Sequence, residues 1–401
     1  MATPPLLEVD RIIDDRRTRI IVCCGSGGVG KTTTAAAIGL RAAERGRQVC
    51  VLTVDPARRL AQSMGLSSLD NTPRRIEGIQ PGGGSLHAMM LDMKRTFDEI
   101  VEAHADPARA AQILANPFYQ SLSSSFAGTQ EYMAMEKLGQ LRRSDEWDLI
   151  VVDTPPSRSA LDFLDAPERL GRFLDGRLIR VLTAPVKASR PFGKVVNAGL
   201  TLMTGALTKI LGGQLLRDAQ TFITAFDTMF GGFRERADAT YKLLQAPGTA
   251  FLVVAAPEQD ALREAAYFVE RLGEERMPLA GLILNRVHRI PSTQLSAARA
   301  LAAAENLEAA QTLESAQGLQ AAQGLQAAQT LEAEGNAVAV AALRLHAERM
   351  TLIEREQRVA AGFTSSHPAV PVMEIPALPE DVHDLDGLRR LTSTDRLQSP
   401  R

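Results

Sequence analysis

Short runs of apolar, often β-branched residues alternate along the chain with stretches of helical periodicity. Arg19 to Cys24 (RIIVCC), Gln48 to Val54 (QVCVLTV), Leu149 to Val152, Ala250 to Ala255, Ala280 to Leu284 and Ala369 to Ile375 read as strands, with Leu86 to Leu91 a weaker one. Thr33 to Arg45 reads as an Ala-rich helix that ends near Gly46. These strands are apolar at successive positions, without the alternation of a sheet that faces water on one side. Strands of that kind, separated by helices, predict an α/β fold: a doubly wound, mostly parallel sheet covered on both faces, with right-handed crossovers.

Two long stretches carry no strand signal. About 94–146 and about 158–247 look helical and hold Met, Leu and Phe at helical spacing. Together they predict a helical subdomain inserted into a single domain that spans 1–401. A third segment, 297–336, is of low complexity. Leu307, Leu313, Leu319, Leu325 and Leu331 each open a six-residue unit such as LEAAQT or LQAAQG. Six residues advance a helix by about 600°, so these leucines step around it by about 120° and form neither a heptad nor an 11-residue seam. The tract reads as an expansion that lengthens an exposed helix or loop, or else as an arm for a partner.

Composition changes this picture little. With 45% apolar and 23% charged residues the chain is of ordinary globular type, and 4% aromatics leave the core to Leu, Val, Ile and Ala. A net charge of −2 gives no footprint for nucleic acid. The three cysteines lie in apolar strands, and Cys23 and Cys24, being adjacent, face opposite sides of a sheet. Buried thiols, no CxxC, no secretory leader and no uncharged apolar run of ~18 residues predict a cytoplasmic protein without a transmembrane segment.

The chemistry lies where strands end. GSGGVGKT, Gly25 to Thr32, follows the first strand and opens the first long helix. Its glycines Gly25, Gly27, Gly28 and Gly30, with Val29, let the backbone curl so that N–H groups point inward as a nest for phosphate. The helix N-terminus, including Thr33, adds free N–H groups and the positive end of a dipole. Lys31 supplies a point charge for β- and γ-phosphates, and the Thr32 hydroxyl a ligand for Mg²⁺. Asp55 follows the second strand in TVDPARRL, placed to activate water, to hold a Mg²⁺-bound water, or to cap a helix with Pro56 at its first position. Asp153 closes LIVVD and opens DTPPS, an apolar strand ended by an acid that reaches Mg²⁺ directly or through water. Asn285 ends the strand AGLIL ahead of Arg286, and its amide suits a purine edge or a turn.

CGSGGVGKTTTAAAIGLRAAERG, TVDPARRL, VVDTPPSRSALDFL and LILNR together resemble the deviant-Walker-A ATPases, within them the ArsA and tail-anchored-protein-targeting branch. The resemblance runs from about 18 to 391 and implies a P-loop NTPase fold that binds Mg-ATP and hydrolyses it. It implies that Asp55 activates water, that Asp153 begins a second switch, and that Asn285 and Arg286 lie at the adenine with Pro376 to Leu378 across the pocket. The helical insert corresponds to the part that shields hydrophobic client helices in the targeting branch.

This chain departs from that pattern in three ways. Ser26 stands where the signature lysine reaches a partner's phosphates, which leaves a homodimer or a heterodimer with a paralogous ATPase open. The missing CxxC excludes a dimer-bridging zinc. No cysteines gather where arsenical-pump enzymes bind metalloid. The leading expectation is an ATP-driven switch that handles a hydrophobic or membrane-protein client, with Met133, Met135, Met203 and Met229 as either groove or core filler. A positioning or pump-associated ATPase and a low-turnover nucleotide sensor are the alternatives.

Overall fold

A computed structural model describes residues 4–55, 59–80, 82–117, 119–120, 129–155, 235–289, 295–318 and 326–392. Pro56, Met203, Met229, most of the expected helical stretch 158–247 and the repeat positions 319–325 lie outside the described residues.

An eight-stranded sheet runs in the order β3-β4-β2-β5-β1-β6-β7-β8. Its strands are β1 (Ile20–Cys24), β2 (Gln48–Thr53), β3 (Arg74–Arg75), β4 (Ser85–Met90), β5 (Leu149–Asp153), β6 (Thr249–Ala255), β7 (Leu279–Val287) and β8 (Val372–Pro376). All neighbours pair in parallel except β3, which lies antiparallel against β4. β1, β5 and β6 are buried at every position, as continuous apolar runs require of central strands.

Alternate residues of each strand feed two separate cores. Ile20, Val22, Cys24, Leu52, Val152 and Val253 face one layer. That layer holds α4 (Met93–His104), α5 (Pro107–Leu114), α6 (Thr129–Ser144) and α7 (Gln259–Glu274). Ile21, Cys23, Val49, Val51 and Val254 face the other. There lie α1 (Val9–Asp14), α2 (Lys31–Glu44), the short α3 (Arg59–Ser63) and α10 (Leu385–Thr392). Cys23 and Cys24 thus point to opposite cores, as adjacent strand positions must. Within 94–146 the described residues form α4, α5 and α6, and the side chains Phe97, Ile100, Tyr132 and Leu138 share one core with the strands. Met133 and Met135 belong to it too, 1% and 0% exposed, so they fill the core and line no open groove.

The sheet's amino-terminal edge is tied by one cation. The Arg47 guanidinium, 1% exposed, donates to the carbonyls of Ile13 at 2.8 Å and of Thr18 and Asp148 at 2.6 Å. This joins α1, the approach to β1 and the approach to β5, and carbonyl acceptors offset part of the desolvation of the charge. Ion pairs from Asp10 to Arg41 and from Asp14 to Arg45 hold α1 along α2. Arg389 on α10 donates to Glu44 at 2.8 Å and to the Gly78 carbonyl at 2.7 Å.

Two long helices, α8 (Ala297–Gly318) and α9 (Gln326–Ser366), fill the connection from β7 to β8 and pack along each other. The described repeat residues, 307–318 and 326–336, fall at the end of α8 and the start of α9.

Burial pushes the Cys24 and Cys50 thiols up to about 12, and the Cys23 thiol well above its ordinary range. Thiolate is the reactive form. The native protein will therefore leave all three thiols unmodified by a disulfide reagent at pH 8 and release three equivalents on unfolding. Rapid reaction of the folded protein would mean that these strands are not covered on both faces.

Candidate functional site

β1, β2, β5, β6 and β7 all end at one edge of the sheet, where the chemistry-bearing residues converge. The glycine-rich loop leaves β1 at Gly25 and enters α2 at Lys31. Gly25 and Gly30 have φ of +148° and +94°. A Cβ at Gly25 would stand 2.0 Å from the Val254 carbonyl oxygen, and one at Gly30 would stand 2.2 Å from Asn285 Nδ2. Conformation and close approach both demand glycine at these two positions.

Lys31 is buried and its Nζ reaches back across the loop to donate to the Ser26 carbonyl at 2.8 Å. Burial holds its pKa below the ordinary value, against the attraction of Asp153. An ammonium in that position is under-neutralised, which is the electrostatic condition for capturing a polyanion.

Behind the loop lies the fully buried Asp153 at the end of β5. Its Oδ2 accepts from Thr32 Oγ1 and from Thr53 Oγ1, both at 2.8 Å. Its Oδ1 is buried with no hydrogen-bond partner. Burial pushes the carboxyl up to about 6, with the two hydroxyl bonds pulling the other way. The backbone N–H of Thr154 and its hydroxyl both donate to the Cys23 carbonyl, at 3.2 and 2.9 Å, and fix the chain just beyond the acid.

These oxygens fit Mg²⁺. The ion takes hard oxygen donors, binds through one or two carboxylates plus substrate phosphates, and needs no all-protein cage. The unpartnered Oδ1 of Asp153 beside the Thr32 hydroxyl supplies that donor set. Among the described residues no group of three or more His, Cys, Asp or Glu converges as a metal cage would.

Two adjoining cavities open over the loop. One, of about 390 Å³, is lined by Gly28, Gly30, Lys31, Thr32, Thr33 and Asp55 on the loop side. The other, of about 370 Å³, is lined by Asn285, Arg286, Pro376 and Leu378. Gly30, Thr33, Arg286, Asp381 and Val382 border both, so the two form one cleft with a polar end and a more apolar end. A third cavity, of about 420 Å³, lies on the other side of Ser26, Gly27 and Val29 and is rimmed by Glu258, Asp260 and Glu264.

Every expected loop residue except Gly25 lines one of these cavities, and Asp55, Asn285, Arg286, Pro376 and Leu378 line them too. Asp153 lines none; it sits underneath. Asn285 differs from its expected place in two respects. β7 continues past it to Val287 through an irregularity, so it does not end the strand. Its Nδ2 donates to the Val29 carbonyl at 2.8 Å and its Oδ1 accepts from the Arg286 N–H at 3.0 Å, so its amide clasps the loop. Arg286 has φ +63°, a left-handed backbone rare for a long side chain, and borders all three cavities.

Gln62, Ser63, Asp381 and His383 also line the cleft, and sequence reasoning did not find them. The PEDVHD run after β8 carries no periodicity, although its Pro-initiated turn beyond a strand end was a usable signal.

A doubly wound parallel sheet, with a glycine-rich loop between β1 and α2 and a buried acid at the end of the neighbouring strand, defines the P-loop NTPase fold. The sequence profile of the ArsA ATPase family, described as "Anion-transporting ATPase", matches residues 18–317, and the chain belongs to that family of ATP-binding ATPases. It is 30% identical over 173 residues to the ATPase GET3 of Malassezia globosa, across 43% of this chain and about half (49%) of that relative's length. It is 24% identical over 301 residues to the ATPase get3 of Pyrenophora tritici-repentis, across 72% of this chain and 80% of the relative. The ATPase GET3 of Ajellomyces dermatitidis is 25% identical over 281 residues, 70% of this chain and 76% of its own length. Among the described residues no helix is long and apolar enough to cross a membrane.

The raised carboxyl pKa of Asp153 has a definite sign. A group whose folded pKa exceeds its unfolded one adds stability below about 4, and that contribution is lost as pH rises through about 6. At pH 8 the ion-free protein therefore carries a buried carboxylate at a cost of about 2 to 3 kcal/mol. Asp153→Asn will raise Tm by a few degrees at pH 8 in the absence of nucleotide, and the gain will vanish by pH 4. Thermal melts of both proteins from pH 4 to 8 check this; a gain independent of pH would mean that the acid is not desolvated.

Proposed function

We propose that this protein binds Mg-ATP in the cleft over Gly25 to Thr33 and uses its hydrolysis as a conformational switch. The observation that carries the reading is the pairing of Lys31 and Asp153. A buried ammonium satisfied only by a backbone carbonyl stands above a buried carboxylate with an empty oxygen. Each is costly without a ligand, and a triphosphate with its cation satisfies both.

In this reading the loop amides and Lys31 bind the β- and γ-phosphates, and Gly25, Gly27, Gly28 and Gly30 keep side chains out of their way. Thr32 and Asp153 would hold Mg²⁺, with Asp55 as a further acidic group on its side of the cleft. Mg²⁺, when bound, draws charge from the bridging phosphate oxygens. Asp55 lies at the polar end of the cleft beside Gln62 and Ser63, and it orients and accepts a proton from the attacking water. Asn285 holds the loop by the Val29 carbonyl while its strand neighbour Arg286, with Pro376 and Leu378, borders the end where the base lies. Thr53 ties the strand that carries Asp55 to Asp153, so loss of the γ-phosphate is felt at both strand ends together.

The output of the switch is handling of a hydrophobic or membrane-protein client by a cytoplasmic dimer, which rests on the resemblance to the targeting branch. The acidic rim of Glu258, Asp260 and Glu264 lies beside Ser26, the position at which the resemblance implies a cross-acting lysine. That charge favours a partner surface bearing cations, either a second copy or a paralogous ATPase. The single domain 1–401 with its helical insert, 94–146 and 158–247, supplies the client-facing part in this scheme.

Two substitutions separate binding from turnover. Lys31→Ala will abolish ATP binding in a fluorescent-nucleotide titration. Asp55→Asn will bind Mg-ATP within about threefold of the native protein yet lose on the order of 10²-fold or more in kcat. Native kcat in Asp55→Asn would remove that residue from catalysis, and normal binding by Lys31→Ala would overturn the site.

A further inference from the structure

The chain that follows β8 borders the cleft along its whole length, from Pro376–Leu378 at one end to His383 at the end that holds Lys31. Both ends of this run are fixed. The Ala377 N–H donates to the Val287 carbonyl at 2.9 Å, which ties the start to β7. Asp384 Oδ1 accepts from the Gly387 N–H at 2.7 Å and caps the first turn of α10. α10 is in turn held on α2 by Arg389 and Glu44. A Cβ at Gly387 would stand 3.0 Å from Val382 Cγ1, so Val382 lies close against that turn. Leu378 and Val382 both pack on the core at the α2 side of the sheet. Asp381 is exposed between these two anchors, and its place is set by them.

A nucleotide is a chain of three parts, with its sugar between base and phosphates. If the phosphates lie over Lys31 and the base lies at Pro376–Leu378, the sugar occupies the boundary that the two cavities share. Five residues border both cavities: Gly30, Thr33, Arg286, Asp381 and Val382. Gly30 and Val382 offer no polar side-chain atom. Thr33 lies in the first turn of α2, where the helix end serves phosphate. Arg286 has donors only. Asp381 alone brings a carboxylate to the boundary, and among the described residues no hydrogen bond or ion pair engages it. The nearby acids are placed differently. Glu380 borders only the Pro376–Leu378 end, and Asp55 only the Lys31 end.

We propose that Asp381 reads the sugar: its carboxylate accepts hydrogen bonds from the 2′- and 3′-hydroxyls and selects ribonucleotides over deoxyribonucleotides. The inference rests on the reading of this cleft as the nucleotide site. The two oxygens of a carboxylate match the two donors of a vicinal diol, and bonds to an ionised acceptor are the stronger kind. An acid meets the ribose of dinucleotides by the same chemistry. The carboxylate also repels the phosphates, so it is tolerated only where the hydroxyls repay it. A deoxy sugar keeps the repulsion and loses a bond, which penalises the wrong ligand as well as favouring the right one. Because Asp381 is exposed, water softens the discrimination to about tenfold per hydroxyl, well short of what a buried site achieves.

Calorimetric titration of the full-length protein with Mg²⁺ and ADP, 2′-deoxy-ADP or 3′-deoxy-ADP tests this without turnover. The native protein will bind ADP about tenfold more tightly than either deoxy form. Asp381→Ala, an exposed substitution that will leave the melting temperature unchanged, will bind all three within about twofold of one another. Glu380→Ala will keep the native ratio. Equal affinity of the native protein for the three ligands would overturn the assignment while leaving the cleft intact. So would a native ratio in Asp381→Ala, or a ratio lost equally in Glu380→Ala. Binding of none of the three by the native protein would overturn the nucleotide site itself, and the role of Asp381 with it.

Discussion

The switch end of this protein is organised around one buried carboxylate. Asp153 closes β5 and accepts hydrogen bonds from Thr32, in the first turn of α2, and from Thr53, at the end of β2. Three elements that are distant in sequence are thereby fixed to one oxygen atom. The second oxygen has no partner, and burial lifts the carboxyl to about 6. A core built only for stability would not keep an ionisable group in that state, because an unsatisfied buried acceptor costs 1–3 kcal/mol and replacement by an apolar side chain removes the cost. The arrangement makes sense as stored demand for a cation, next to a buried lysine that stores demand for an anion.

From this point the cleft follows. Asn285 reaches from β7 to the Val29 carbonyl, so the strand that borders the Pro376–Leu378 end of the cleft is joined to the loop at its other end. Gly30 is required as much by that amide as by its own backbone angle. The His288–Glu356 pair then connects the same strand end to α9. The loop is thus joined to α9 by the Asn285 bond to Val29, the backbone from Asn285 to His288, and the His288–Glu356 pair.

Much of this was legible in the sequence, for identifiable reasons. The strands were readable because central parallel strands must be apolar on both faces, and the loop because its glycines, lysine and threonine stand at a spacing that phosphate geometry imposes. What escaped was set by tertiary contact. β3 has only two residues and no periodicity. α1 and α10 are too short to show a period: each buries two large apolar side chains, Val9 and Ile13 on α1 and Leu388 and Leu391 on α10, and ion pairs tie both to α2. Met133 and Met135 carried no signal to tell groove from core; the sheet above them decided it. The left-handed turn at Arg286 is an irregularity within β7, and the cleft residues Asp381 and His383 lie in irregular backbone, where sequence pattern is silent.

Amide hydrogen exchange of the native protein, with and without a non-hydrolysable ATP analogue and Mg²⁺, tests the central claim most directly. The account predicts that Gly25 to Thr33 and the Asn285–Val287 strand end become protected together, that added protection at Asp153 and Thr154 requires Mg²⁺, and that ADP gives a smaller effect at those two amides. Protection confined to the loop, or none at either strand end, would contradict a single cleft built on Asp153.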